Sequence, residues 1–325
     1  MKIIDMRCRL TTKEAAKYFA TRLGSNVSRI PALQEGTEEA FFKEIADAGI
    51  TTAVSVSGNS PGIKIGRRVY PDRTTSNDLM ADVQKRHYGK FIGVAGIDAG
   101  NKFHNALAEI RRCVEELGLK AVYLEPGRSP GCFVSDRLMY PIYQRCVDLN
   151  VPVIFQTSVI AGHKKLEYGH PRYYEEVAED FPDLHIICGH GCYPYFTELV
   201  MVAGKHPNIY PSPDERIFDL NGEVWERVVN EEYMGMADQF LFGSAYPFYP
   251  IKEYVEEFFS KFSWKEEVLD RILYRNALRA LKLENDPVFR KMYDLDKVSA
   301  RSSPGAHGKS LLWHQPVDKD GLGVA

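Results

Sequence analysis

The sequence predicts an α/β fold, a TIM-type (β/α)₈ barrel with extra helices and a tail at its C-terminal end. Three observations lead there. Eight short β-rich runs recur along the 325 residues, separated by amphipathic stretches of helical length. That alternation implies parallel strands joined by right-handed crossovers, and eight such units close most economically as a barrel. The rival is an open doubly wound sheet, but no Gly-x-Gly-x-x-Gly follows the first run.

Taken in order, the runs are Ile3–Cys8, Thr51–Val56, Phe91–Ile97, Lys120–Leu124, Val151–Phe155, Leu184–Cys188, Asn208–Tyr210 and Phe240–Gly243. The helical stretches between them include Thr37–Ala48, Phe103–Leu117, Arg137–Leu149, Arg172–Phe181 and Gly222–Glu232. Phe103, Ala106, Leu107, Ile110, Cys113, Val114 and Leu117 repeat at helical spacing, which marks one buried face. Three more helices follow the eighth run, Lys252–Phe262, Lys265–Tyr274 and Ala277–Leu281. Residues 1–297 therefore form one barrel domain. Residues 298–325 are rich in Ser, Gly, Pro and Lys and form a tail, which Leu311, Leu312 and Trp313 are expected to anchor on the barrel or on a partner subunit.

A chain of this length buries a core large enough to fold without a disulfide or structural metal. The net charge of −3 gives no footprint for nucleic acid. The basic cluster Lys64, Arg67 and Arg68 reads as a solvated loop. No apolar stretch is long enough to cross a membrane, and no export signal is recognisable at Met1. The cysteines, Cys8, Cys113, Cys132, Cys146, Cys188 and Cys192, are scattered and read as reduced thiols of a cytoplasmic protein.

Four collinear stretches carry a resemblance. They are Phe181-Pro182-Asp183-Leu184-His185-Ile186-Ile187-Cys188-Gly189-His190-Gly191, then His206-Pro207-Asn208-Ile209-Tyr210, then Phe242-Gly243-Ser244-Ala245-Tyr246-Pro247-Phe248, and Ile272-Leu273-Tyr274-Arg275-Asn276-Ala277. Together, over roughly Lys2 to Leu283, the chain resembles the amidohydrolase-related metal-dependent hydrolases, the branch of aminocarboxymuconate-semialdehyde decarboxylase and the γ-resorcylate decarboxylases. The resemblance implies a metal held by Asp-x-His-x-His on strand one, histidines ending strands five and six, and an aspartate ending strand eight. Here those positions read Asp5-Met6-Arg7-Cys8-Arg9, Gln156, His190 and Ala245. Arginine has no lone pair to offer and stays protonated, so the sequence predicts no metal at this site and no other cofactor.

Asp5, Arg7 and Arg9 share strand parity and should face the barrel's interior or mouth. Two readings stay open. In one, Arg7 and Arg9 replace the metal's charge and bind a substrate carboxylate or a developing oxyanion, with His190 as general acid/base. Asp5 then orients an arginine or His190, and Glu125, at the end of strand four, is a second acid/base. In the other, both arginines pair with Asp5 and Glu125 in an inert ionic network. Gln156 is placed to hydrogen-bond a substrate carbonyl, or merely fills the space of a lost ligand. Tyr193, Tyr195, Tyr246, Phe248 and Tyr249 line a pocket for a flat substrate, or fill walls.

Ser212, Asp214 and Glu215 follow strand seven and reach the rim of the site, or, the preferred reading, form only a polar loop turn around Pro211 and Pro213. His163 and His170 read as surface or rim residues. Cys188-Gly189-His190-Gly191-Cys192 lacks a zinc spacing, and Cys192 reads as a small buried residue rather than a nucleophile. The function expected is a metal-independent enzyme of hydrolase or decarboxylase type. It would act on a small carboxylate-bearing acid by lactone or ester hydrolysis, decarboxylation or acid/base isomerisation. The alternative is a non-catalytic barrel that binds an anionic metabolite or serves as a structural subunit. A homodimer is expected by analogy.

Overall fold

The computed structural model describes residues 1–13, 28–56, 58–70, 72–158 and 163–298. The tail with Leu311, Leu312 and Trp313 lies outside the described residues. Seven parallel strands stand side by side in sequence order: β1 (Ile4–Cys8), β2 (Thr52–Val56), β3 (Phe91–Gly96), β4 (Ala121–Leu124), β5 (Val153–Gln156), β6 (Ile186–Gly189) and β7 (Ile209–Ser212). Every residue of these strands is buried. That is why each is mostly apolar, since both faces are covered, one by the barrel interior and one by helices, with the charged Asp5 and Arg7 of β1 as exceptions.

The eighth run does not form a regular strand, yet it closes the barrel. Leu241 N–H donates to Pro211 O on the β7 side, and Met6 N–H donates to Phe242 O on the β1 side, each at 2.9 Å. A single extended segment thus bridges the last and first strands, the position the eighth strand of a TIM barrel takes. A further tie crosses this seam. Asp5 is fully buried, and its carboxylate accepts from the backbone N–H of Ser244 (2.9 Å), the Ser244 hydroxyl (2.5 Å) and the Arg7 N–H (3.1 Å). Burial raises the pKa of Asp5, against the pull of the Ser244 hydrogen bonds. Asp5→Ala would orphan buried donors, and a loss of about 3 kcal/mol is expected by urea unfolding. Asp5→Asn keeps an oxygen for the backbone donors and should lose less.

Most of the expected helices appear, at Glu38–Asp47, Ala106–Arg111, Tyr140–Asp148, Pro171–Asp180 and Val224–Asn230. Their starts are fixed by side chains. Thr37 and Asn105 cap the first two by accepting from Ala40 N–H and Ala108 N–H, and His170 caps Pro171–Asp180. The basic cluster read as a solvated loop is instead ordered backbone. Ile63–Ile65 pairs with Arg68–Tyr70, and Asn59–Ser60 with Arg73–Thr74, as two small antiparallel ribbons. They lie at the C-terminal end of β2, against the barrel mouth. The Ser60 hydroxyl donates to Glu125, and Arg128 Nε–H donates to Pro61 O at 2.9 Å.

Candidate active site

The strand C-termini converge on a narrow cavity. Its non-atom space is about 270 Å³ with the open mouth included, its closed part holds little more than a water molecule, and it is lined by Arg7, Cys8, Arg9, Gln156, His190, Ala245, Tyr246 and Phe248. The presence of both Cys8 and Arg9 in its wall follows from an irregular register between Asp5 and Cys8, which breaks the strict alternation of β1. Three residues at strand ends have left-handed backbones, His190 (φ 67°), Asp214 (φ 55°) and Ala245 (φ 57°). Such a kink is uncommon outside glycine. It is where the chain turns over the barrel rim, and it sets the directions of the His190 and Asp214 side chains.

Arg7 is the centre of the site and is nearly fully buried. Its Nε–H donates to Asp214 Oδ2 at 3.1 Å, and Nη2 donates to His190 Nε2 at 3.0 Å and to the Tyr123 hydroxyl at 3.3 Å. Nη1 is buried with no hydrogen-bond partner. The guanidinium abuts Gly189, where any Cβ would collide with Nη1. Arg9 donates from Nη1 to Val56 O (3.1 Å) and from Nη2 to the Tyr123 hydroxyl (3.3 Å). Both arginines thus meet at one phenol, which donates in turn to Glu125 at 2.9 Å.

These contacts correct the inert-network reading in its particulars. Arg7 pairs with Asp214 rather than with Asp5. Asp5 holds the Arg7 backbone and Ser244, not a guanidinium or His190. Glu125 meets the arginines through Tyr123. The larger correction concerns the turn after β7. Asp214 and Glu215, for which a polar turn is the preferred reading of the sequence, instead pack against His190 and Arg7, Asp214 fully buried and Glu215 nearly so. Asp214 Oδ2 also accepts from the His190 backbone N–H (2.9 Å), and its Oδ1 from the Ser212 hydroxyl (2.5 Å). Glu215 Oε2 lies 3.0 Å from His190 Nδ1, and its Oε1 lies 3.1 Å from Arg216 Nη2. The available signal was parity. Ser212 and Asp214 are two residues apart at a strand's C-terminal end, where barrel sites are built.

The electrostatics follow from this packing. Burial and then the charge of Arg7 push His190 down to about 4, against Glu215, so its imidazole is neutral at pH 7. Burial pushes Asp214 up to about 8, with Glu215 adding to the rise and Arg7 opposing it. Burial works against Glu215 too, but His190, Arg216 and Arg7 hold it down at about 2. Because His190 is neutral, its contribution to Glu215 is the N–H dipole, while the arginines supply the charge.

The other expected residues fall to either side. The Gln156 amide oxygen accepts from Ser158 N–H (3.1 Å), while the side chain stays in the cavity wall. The Tyr246 ring lines the cavity, but its hydroxyl runs toward Glu44 and Thr11, outside it. Tyr193 stands over Arg216, with its ring 5.8 Å from the guanidinium, and packs on Phe196. His163 is not a surface residue. It is buried, with Nε2 bonded to Gln156 O at 2.8 Å. Cys188 and Cys192 are buried, and Cys188 faces Cys192 and Tyr174 rather than His190.

The residues at the expected metal positions do not fit a divalent ion. Ala245 offers no donor, Gln156 has its oxygen engaged, and a guanidinium sits on the one remaining imidazole nitrogen. Among the described residues, His190, Asp214 and Glu215 bring ligand atoms within 4.8 Å of one another. Arg7 and Arg216 already occupy those carboxylates, each at 3.1 Å, so an ion there would meet two fixed positive charges.

Residues 18–283 match the Amidohydrolase family. The chain belongs to the amidohydrolase family. This amidohydrolase is 33% identical, over 88 residues, to 2-keto-4-carboxy-3-hexenedioate hydratase of Sphingobium sp.; the match spans 25% of this chain and only 26% of the hydratase. An uncharacterised TIM-barrel protein of Bordetella bronchiseptica is similar over 87% of this chain and 99% of its own, at 33% identity and a TM-score of 0.73. The 2,6-dihydroxybenzoate decarboxylase of Rhizobium shares the fold over 88% of this amidohydrolase and 100% of its own chain, at 18% identity and a TM-score of 0.62. Among the described residues no helix is long and apolar enough to cross a membrane.

Proposed function

We propose that this amidohydrolase acts, without a metal ion, on a small organic acid whose carboxylate is held by Arg7 and Arg9. The reaction is lactone or ester hydrolysis, decarboxylation or acid/base isomerisation. His190 exchanges the proton at Nε2, and the guanidinium charge stabilises the anionic oxygen or carbon that develops. Gln156 lies in the same wall, in reach of a substrate carbonyl. The free cysteines, buried or half-buried, are in keeping with a reducing cytoplasm.

The observation that carries this reading is in Arg7, a residue of the cavity wall whose Nη1 is a buried charged donor with no acceptor. Leaving such a donor unmatched costs at least about 1–3 kcal/mol, so the site favours an occupant that supplies oxygen atoms. A carboxylate oxygen is the charged acceptor that matches such a donor. The hydratase and the decarboxylase among the similar proteins are both named for carboxylate-bearing compounds.

Malonate, a small dicarboxylate, is the probe. Thermal unfolding should shift upward with malonate and not with chloride at equal ionic strength. A hundredfold excess over Kd corresponds to about 2.7 kcal/mol of added stability. No shift would overturn the anion site. One observation favours a second reading, a barrel that binds an anion without turnover: His190 Nε2 is engaged by Arg7 in the unliganded site. A panel of lactones and aromatic or unsaturated carboxylates separates the two. Turnover that His190→Gln abolishes, with malonate binding intact, supports catalysis, whereas binding without any turnover supports the second.

A further inference from the structure

The groups that carry the anion site and the proton are both held from one place, the turn after β7, where the metal pattern of the wider family has no ligand. We propose that Asp214 and Glu215 are the positioning residues of this site: Asp214 seats the Arg7 guanidinium, and Glu215 selects the His190 tautomer that leaves Nε2 unprotonated toward it. The proposal rests on the anion-site reading for its consequence, but not for its geometry.

A neutral imidazole carries one N–H, and its surroundings decide which nitrogen has it. Nδ1 faces acceptors, Glu215 Oε2 at 3.0 Å and Asp214 Oδ2 at 3.3 Å. Nε2 faces a donor, Arg7 Nη2 at 3.0 Å. A proton on Nε2 would set donor against donor on one side of the ring and lone pair against carboxylates on the other. Only the Nδ1–H tautomer satisfies both sides. The charged groups facing the ring are Arg7 from β1 and Asp214, Glu215 and Arg216 from the turn; Arg7 at Nε2 and the two acids at Nδ1 agree with this assignment, while Arg216 acts through its pairing with Glu215.

Asp214 does the same for Arg7. Its Oδ2 ties the guanidinium Nε and the His190 backbone N–H together, so strand β1 and the end of β6 are held at one oxygen. The carboxylate is itself fixed. Ser212 donates to Oδ1, and the Tyr254 hydroxyl donates to the Asp214 carbonyl at 3.1 Å, which anchors its left-handed backbone. A side chain at Gly243 would crowd Oδ1, so that glycine keeps the seat open. With Nε pinned, the guanidinium presents its outer edge, Nη1 and Nη2, and Nη1 is the nitrogen without a partner. A substrate carboxylate meets Nη1, and once it draws Nη2 off His190 the Nε2 lone pair can take the proton released by substrate or water.

Nitrogen-15 NMR of the His190 ring at neutral pH, assigned with His190→Gln, reads the tautomer directly. The wild type should show Nδ1–H. Glu215→Leu should lower the Nδ1–H to Nε2–H ratio about tenfold or more, the worth of one hydrogen bond to a charged group. Glu215→Gln should retain it, because the amide oxygen still accepts from Nδ1. Malonate affinity should fall about tenfold in Asp214→Ala and recover in Asp214→Asn, which keeps an acceptor for Arg7 Nε. An Nε2–H ring in the wild type, or an unchanged ratio in Glu215→Leu, would overturn the role of Glu215. Unchanged malonate affinity in Asp214→Ala would overturn that of Asp214. A wild type that ignores malonate defeats the anion reading alone, since the tautomer is measured without it.

Discussion

Arg7→Ala is expected to abolish malonate binding and to lower stability by about 1–3 kcal/mol, the cost of leaving buried hydrogen-bonding groups without their partner. The loss has three physical sources. Asp214 Oδ2 loses the Nε donor, His190 Nε2 loses its partner, and the space beside Gly189 is left open. Arg7→Lys should not restore binding, because an ammonium cannot span Asp214, His190 and Tyr123 as the planar fork does. The deficit should also depend on pH with a definite sign. Burial already pushes Asp214 up to about 8 against the pull of Arg7. Without that pull its folded pKa rises further above the unfolded value. A raised carboxylate contributes stability that is present at low pH and lost as pH rises through the folded pKa. The gap between variant and wild type is therefore smaller near pH 5 and larger near pH 9, as urea midpoints at both would show.

The second large effect is a gain. Restoring donors at the family's positions, with Arg7→His, Arg9→His, Gln156→His and Ala245→Asp together, should convert the cavity into a divalent site. His190 is already in place there, and an aspartate tolerates the left-handed backbone at residue 245. Removing both guanidinium groups also frees Asp214 to draw a cation rather than an arginine. After purification with zinc or manganese and exhaustive dialysis, elemental analysis should find about one ion per chain in this variant. Failure to bind would show that residues beyond the replaced ligands, Asp214 among them, have been rebuilt around the positive charge.

Much of this was legible in the residues themselves, for identifiable reasons. Strands buried on both faces leave apolar runs, so β1 to β7 could be placed within two residues of their observed ends. The replaced ligands were legible because each sits at a fixed offset from a motif that kept its scaffold residues, such as Ala245 between Ser244 and Tyr246. What depended on backbone direction was hidden. Asp214 follows two prolines and reads as a turn, and only its left-handed backbone turns the carboxylate inward to meet Arg7. Asp5 carries no mark of its partner Ser244, because that contact exists only once the barrel closes. The ribbons over the mouth are two or three residues per strand, too short to show any alternation.

The claim beneath all of this is that a guanidinium has taken the place of an ion. Anomalous diffraction from crystals of the wild-type protein grown with manganese tests it most directly. No anomalous peak is expected among Arg7, His190, Asp214 and Glu215, with the guanidinium still hydrogen-bonded to His190 Nε2. A peak bound by the His190 imidazole, with Arg7 swung out of the cavity, would contradict it.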